Sequence, residues 1–223
     1  MKTKDIKQDN FSYMLVGLLV FLIIAPSLSK QFPNHSLIGI QTIYLSLMFF
    51  SVWSLQKNKR WFSLGIGLII MSIVLAIYDA YFHSVKNQLL NLFPLLLFCI
   101  LSVIVAMKQV LFSGPITLNK LIGSICIYIL LGIIWALFYL SVDLLTTNTF
   151  DGIPDEEFNQ FWSYIYFSFV TLSTLGFGDI VPVNELARSL AYIEAISGQI
   201  YLTILVASLV GGYITEHSNE NPR

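Results

Sequence analysis

The sequence predicts an all-α membrane protein: six spanning helices plus one re-entrant half-helix that leads into a glycine-bearing loop. Three observations carry this. The 223 residues are 56% hydrophobic and 11% charged, with a mean hydropathy of +0.75, whereas soluble domains carry roughly 25% charged residues. Six apolar runs, at approximately 11–28, 36–55, 61–82, 88–107, 121–142 and 189–214, are long enough to cross a hydrocarbon core of ~30 Å. A seventh run, 161–173, reaches only about 20 Å at ~1.5 Å per residue. It is rich in aromatic residues and runs straight into Thr174-Leu175-Gly176-Phe177-Gly178-Asp179.

The first run follows Lys2 and Lys4 and ends at Ser27-Leu28-Ser29. That pattern also fits a cleaved signal peptide, which would leave five spans without altering the last two. The third run carries Asp79 near its end, the sixth carries Glu194, and the others have no charge. Lys2, Lys4, Lys7, Lys57, Lys59, Arg60, Lys108, Lys120 and Arg223 fall on one side of a six-span arrangement, and Lys30, Lys86 and Arg188 on the other. Positive charge stays in the cytoplasm, so both termini are expected inside a cell membrane. The loop with Asp143, Asp151, Asp155, Glu156 and Glu157 is then outside, as is the glycine run. The expected organisation is a four-span front unit (1–107), a cytoplasmic connector (108–120), a two-span rear unit (121–214) and a short tail (215–223).

Several functions are disfavoured. The net charge of -1 comes without a basic cluster, so no nucleic-acid partner is expected. Cys99 and Cys126 sit inside apolar runs and read as buried free thiols, and His35, His83 and His217 are too scattered for a metal centre. No cofactor is implied. What remains is the glycine run. Two glycines at alternate positions free the backbone to turn successive carbonyls to one side, through positive φ angles that other L-residues resist. Unpaired carbonyls at membrane depth are tolerated only along a protein-enclosed path, where they can replace the water shell of a small cation. The residues point to ion passage and not to bond-making chemistry.

The stretch Phe167-Ser168-Phe169-Val170-Thr171-Leu172-Ser173-Thr174-Leu175-Gly176-Phe177-Gly178-Asp179 resembles the signature of potassium channels, whose filter loop commonly reads TVGYG. The resemblance covers roughly residues 119–214. It implies a homotetrameric pore of outer helix, pore helix, selectivity filter and inner helix. It also implies that the carbonyls of Thr174, Leu175, Gly176 and Phe177, with the Thr174 hydroxyl, coordinate K+ as the permeant ion. Leu175 and Phe177 would point away from the ion path and pack behind it, and Asp179 would cap the outer mouth. Trp162, Thr171 and Glu194 become candidate filter supports. Gly198 becomes a candidate gating hinge, although a small residue there also permits close helix packing. Gln199, Thr203 and Val206 become candidate cavity residues, and Gly211-Gly212 is expected to end or loosen the inner helix.

Two departures from the commonest pattern stand out. Phe177 replaces a frequent tyrosine, which removes a phenolic hydrogen bond to the aromatic cuff. Val170 stands where some bacterial channels carry a glutamate that pairs with the outer aspartate. Glu194, the one acid inside the last span, is a candidate substitute with Thr171 or Ser173 as expected partners, and would couple the filter to pH. A snorkelling or solvated glutamate is the alternative.

The front four spans lack the arginine ladder of voltage-gated cation channels. Residues 88–107 contain no Lys, Arg, Asp or Glu, and Pro94 interrupts them. A field does about 2.3 kcal/mol of work per charge per 100 mV, so an uncharged helix gives it little hold. The expectation is a non-enzymatic, potassium-selective channel in a lipid bilayer without a conventional voltage sensor. A less selective monovalent cation channel and a non-conducting regulatory subunit are the alternatives, and a coupled transporter is weaker than either.

Overall fold

The computed structural model describes residues 11–29, 59–81, 85–112, 117–154 and 157–220. The expected second span, 36–55, lies outside the described residues. The helices are α1 (Phe11–Ser29), α2 (Lys59–Tyr81), α3 (Val85–Phe112), α4 (Leu118–Leu145), α5 (Glu157–Leu172) and α6 (Glu185–Glu220). Leu89–Val110, Leu118–Leu145 and Glu185–Ser208 are each long and apolar enough to cross a membrane, and Phe11–Ile23 and Ser63–Tyr78 are shorter apolar helices. The molecule is an all-α membrane protein.

α4 is the centre of the chain. It packs against α1, α3, α5 and α6, and buried residues occur all round it, among them Cys126, Leu130, Ala136, Leu137 and Tyr139. A helix apolar on every side needs partners on every side. It begins at Thr117, whose extended backbone and side-chain oxygen receive the Lys120 N–H, an N-cap arrangement. Asn119 Oδ1 accepts the Phe11 N–H at 3.0 Å. α1 and α4 therefore enter from the same side, the parity that spans one and five of a six-span arrangement require. The front helices α1 and α3 lie against the α4 of their own chain.

Pro94 does not break α3, which runs 28 residues through it. One missing backbone donor is tolerated in a helix held by neighbours. The connector is shorter than 108–120, because α3 continues to Phe112 and α4 starts at Leu118. Gly211 and Gly212 do not end α6, which continues to Glu220 and takes in most of the expected tail. A helical glycine costs about 1 kcal/mol relative to alanine, too little to stop a 36-residue helix. α5, at 16 residues, is about 24 Å long and remains too short to span.

One feature beyond helices ties the loops together. Phe150–Asp151 (β1) pairs antiparallel with Val181–Pro182 (β2), in the register Phe150↔Pro182 and Asp151↔Val181. The loop before the half-helix is thereby fastened to the loop after the glycine run. Gly152, at φ 88°, lets this approach happen: a Cβ there would fall on the Asp179 carbonyl oxygen.

Candidate functional site

The site lies where α5 ends, the glycine run begins and α6 passes both. The last carbonyls of any helix lack intrahelical donors. Here the following loop supplies them. Ser173 N–H bonds Phe169 O at 3.1 Å, Thr174 N–H bonds Thr171 O at 2.9 Å, and the N–H groups of Leu175 and Gly176 both reach Val170 O, at 2.9 and 3.3 Å. The run thus spends its donors on the half-helix and keeps its own carbonyls uncommitted to it.

The backbone of the run alternates in handedness. φ is 59° at Thr174, 58° at Gly176 and 77° at Gly178, while Leu175 and Phe177 stay outside the positive region. Alternation of this kind turns successive like backbone groups in one direction. Glycine does this freely at 176 and 178. Thr174 does it against a penalty of roughly 1–2 kcal/mol for an L-residue. Its side chain is held meanwhile: Gln199 Nε2 donates to Thr174 Oγ1 at 3.3 Å.

The exit of the run is braced on both sides. Asp179 Oδ2 accepts from the Tyr166 hydroxyl at 2.7 Å. That bond is the main reason the Asp179 carboxyl is held below its ordinary value, against a smaller opposing effect of burial. An aromatic cluster of Tyr139, Phe150, Tyr164 and Phe167 joins α4, β1 and α5, with ring centroids 5.0–5.5 Å apart and edge-on geometry. Tyr164 also donates to Asp143 Oδ2 at 2.5 Å. Leu175 and Phe177 are 58% and 64% exposed in the single chain.

The inner helix meets the half-helix at two levels. A Cβ on Gly198 would fall on the Leu172 carbonyl oxygen, so glycine is required there for close approach, and α6 passes through the position unbroken. One turn earlier, Glu194 is fully buried. Its Oε1 lies 2.5 Å from Ser168 Oγ, and its Oε2 accepts from the Tyr139 hydroxyl. These partners, and not Thr171 or Ser173, hold it. Ser173 Oγ instead bonds Phe169 O at 2.6 Å, and Thr171 contributes its carbonyl to Thr174. Gln199, Thr203 and Val206 share one exposed face of α6, and the Thr203 hydroxyl donates to Gln199 O at 2.8 Å. Trp162 packs on Phe21 of α1 and on Phe161, towards the front unit. Tyr139, Tyr166 and Ser168 were not singled out by the sequence. The missing phenol at Phe177 was the available signal that a hydroxyl donor had to come from another aromatic position.

Residues 125–215 match a family described as "Ion channel". That match covers under half of the chain. Over 92 residues, 41% of this chain and 32% of the relative, it is 33% identical to "Two-pore potassium channel 4" of Arabidopsis thaliana. Over 98 residues, 44% of this chain and 30% of the relative, it is 29% identical to "Inward rectifier potassium channel Kirbac3.1" of Paramagnetospirillum magnetotacticum. The chain thus spans about a third of the length of each of these relatives. The matches bear out the resemblance to potassium channels, and the family match at 125–215 takes in most of α4, all of α5, the glycine run and most of α6.

Proposed function

We propose that four copies of this chain assemble into a potassium-selective channel. The carbonyls of Thr174, Leu175, Gly176 and Phe177 coordinate dehydrated K+ in single file, and conduction is passive and non-enzymatic. The observation that carries this reading is the alternating handedness of residues 174–178, delivered at the end of a half-helix by backbone donors turned back into it. One chain offers one strand of oxygens, and a cage around an ion needs several. Two features support the missing partners being further copies: Leu175 and Phe177 are more than half exposed in their own chain, and α6 presents Ile193, Ile196, Ile200 and Ile204 about half exposed.

In this reading residues 121–214 form the pore, with Gln199, Thr203 and Val206 lining the cavity below the filter. Thr171 and Glu194 support the filter, Trp162 braces the half-helix against α1, and Gly198 is the point at which α6 bends if it opens. Residues 1–107 form a front membrane unit without voltage-sensing charge, joined to the pore by the connector that follows Phe112, with both termini in the cytoplasm of a cell whose plasma (inner) membrane holds the channel. The test is flux from liposomes containing the purified protein. K+ is expected to leave rapidly and Na+ slowly. Equal passage of both ions makes it a less selective cation channel, and passage of neither makes it a non-conducting subunit.

A further inference from the structure

Three close oxygen–oxygen approaches surround the carboxyl of Glu194. They run from Tyr139 hydroxyl to Oε2, from Oε1 to Ser168 Oγ at 2.5 Å, and from Ser168 Oγ to Gly132 O at 2.7 Å. Each approach needs one hydrogen, because two bare oxygens at that range repel. The hydroxyls of Tyr139 and Ser168 supply one hydrogen each, and Gly132 O, a carbonyl, supplies none. We infer that Glu194 carries the third hydrogen: it is a neutral carboxylic acid, with Oε1–H donating to Ser168, Ser168 donating to Gly132 O, and Tyr139 donating to Oε2.

The direction of the chain is fixed at both ends. Gly132 O can only accept, so the Ser168 hydrogen points at α4 and cannot also serve Glu194. A carboxylate would then present a second acceptor to the same Ser168 oxygen with nothing between them. The surroundings agree. Tyr139, Ser168 and Glu194 are all fully buried within one chain, so neither water nor a neighbouring copy completes the count. The ionisable groups that face Glu194 among the described residues are the phenols Tyr139 and Tyr128 of α4, and no cation does. An unpaired charge inside a spanning helix is strongly disfavoured.

The consequence is mechanical. The acid is a clamp joining α6 to α5 and α5 to α4, one turn from the place where Gly198 rests on the Leu172 carbonyl. Its effect on the filter, as distinct from its protonation, rests on the channel reading above. Glu194 acts as a positioning residue.

The test uses the full chain in liposomes near neutral pH, where exposed carboxyls are ionised. Infrared spectroscopy is expected to show the carbonyl stretch of a protonated carboxylic acid, absent in Glu194→Gln. A carboxamide can place an N–H donor and a carbonyl acceptor in the same two directions, so Glu194→Gln is expected to keep K+ flux where Glu194→Ala loses it. Absence of the acid band in the natural protein, or loss of flux in Glu194→Gln as complete as in Glu194→Ala, overturns the inference. Should Glu194→Ala fail to fold, Ser168→Ala and Tyr139→Phe decide it: each removes one partner of the acid and must shift its band, and an unshifted band in both overturns the assignment. An acid band that behaves as described in protein that passes no K+ leaves the clamp standing and sinks the channel reading instead.

Discussion

The two spanning helices that flank the filter both carry isoleucine-rich stretches, and those stretches have opposite surroundings. Along α4, Ile127, Leu130, Ile133 and Leu137 are fully or almost fully buried. Along α6, Ile193, Ile196, Ile200 and Ile204 are about half exposed. Both stretches are isoleucine- and leucine-rich, and residue type does not separate them. What separates them is the source of their partners. α4 is mostly buried by helices of its own chain, α1, α3, α5 and α6. α6 touches its own chain chiefly along the line Glu194–Gly198–Tyr201, where Tyr201 donates to Ser124 O at 2.7 Å. The rest of α6 is left for lipid or for other copies. The outer helix builds the subunit, and the inner helix is what the subunit offers to an assembly.

The sharpest way to break this comparison is to remove the same apolar bulk from each helix. Leu130→Ala is expected to cost about 2–5 kcal/mol, the range for a leucine truncated in a packed interior, and to leave little folded protein. Ile200→Ala is expected to leave the subunit intact. If copies pack on α6, it lowers the temperature at which the oligomer dissociates on native gels. If only lipid covers α6, that temperature does not move. Equal damage from both substitutions would mean that α6 is as buried as α4 and that the asymmetry is not real.

A second contrast lies within α6. Gly198→Ala puts a Cβ onto the Leu172 carbonyl oxygen, a backbone atom that cannot turn aside. Overpacking of this kind costs about 1–3 kcal/mol. Gly211→Ala meets nothing within 4 Å and is expected to gain up to about 1 kcal/mol from helix propensity. Thermal unfolding in detergent measures both. A Gly198→Ala protein as stable as the natural one would favour a purely flexible role for that glycine.

This pair of positions also explains which parts of the site the sequence could reveal. Gly176 and Gly178 announce their own positive φ angles, because glycine is the residue that takes them freely. Thr174 does not, since a β-branched residue argues against the conformation it adopts. Its place depends on the Val170 carbonyl collecting two donors from the next residues and on Gln199 reaching its hydroxyl. Glu194 was visible as the lone acid of the last span, but its partners were misplaced by about one helical turn. The register is set by Gly198 against Leu172. Stepping four residues back along each helix, about one turn, brings Glu194 to Ser168. Without knowing that glycine packs there, the sequence offers Thr171 and Ser173 as equally plausible hydroxyls. The exposed flank of α6 was unreadable for another reason: hydrophobicity does not say whether lipid or protein lies opposite.

The smallest expected effect is at the outer mouth, where α5 and not α4 or α6 holds the filter exit. Tyr166→Phe removes the donor to Asp179 while keeping the ring. Because that bond holds the Asp179 carboxyl below its ordinary value, its stabilising contribution is full above the ordinary carboxylate range. It is lost as pH falls through the lowered value. Removing the hydroxyl returns Asp179 towards its ordinary behaviour, so acid inhibition of K+ flux should begin at a higher external pH in Tyr166→Phe than in the natural protein, with flux at neutral pH little changed. Asp179 is exposed, so the shift is modest and shrinks in high salt. The comparison between helices makes this test specific: substitutions on α4 and α6 alter how much folded or assembled channel exists, whereas Tyr166→Phe alters only how the filter exit responds to acid. An acid profile identical to that of the natural protein would leave the pairing of β1 with β2, and not the Tyr166 hydroxyl, as the brace of the outer mouth.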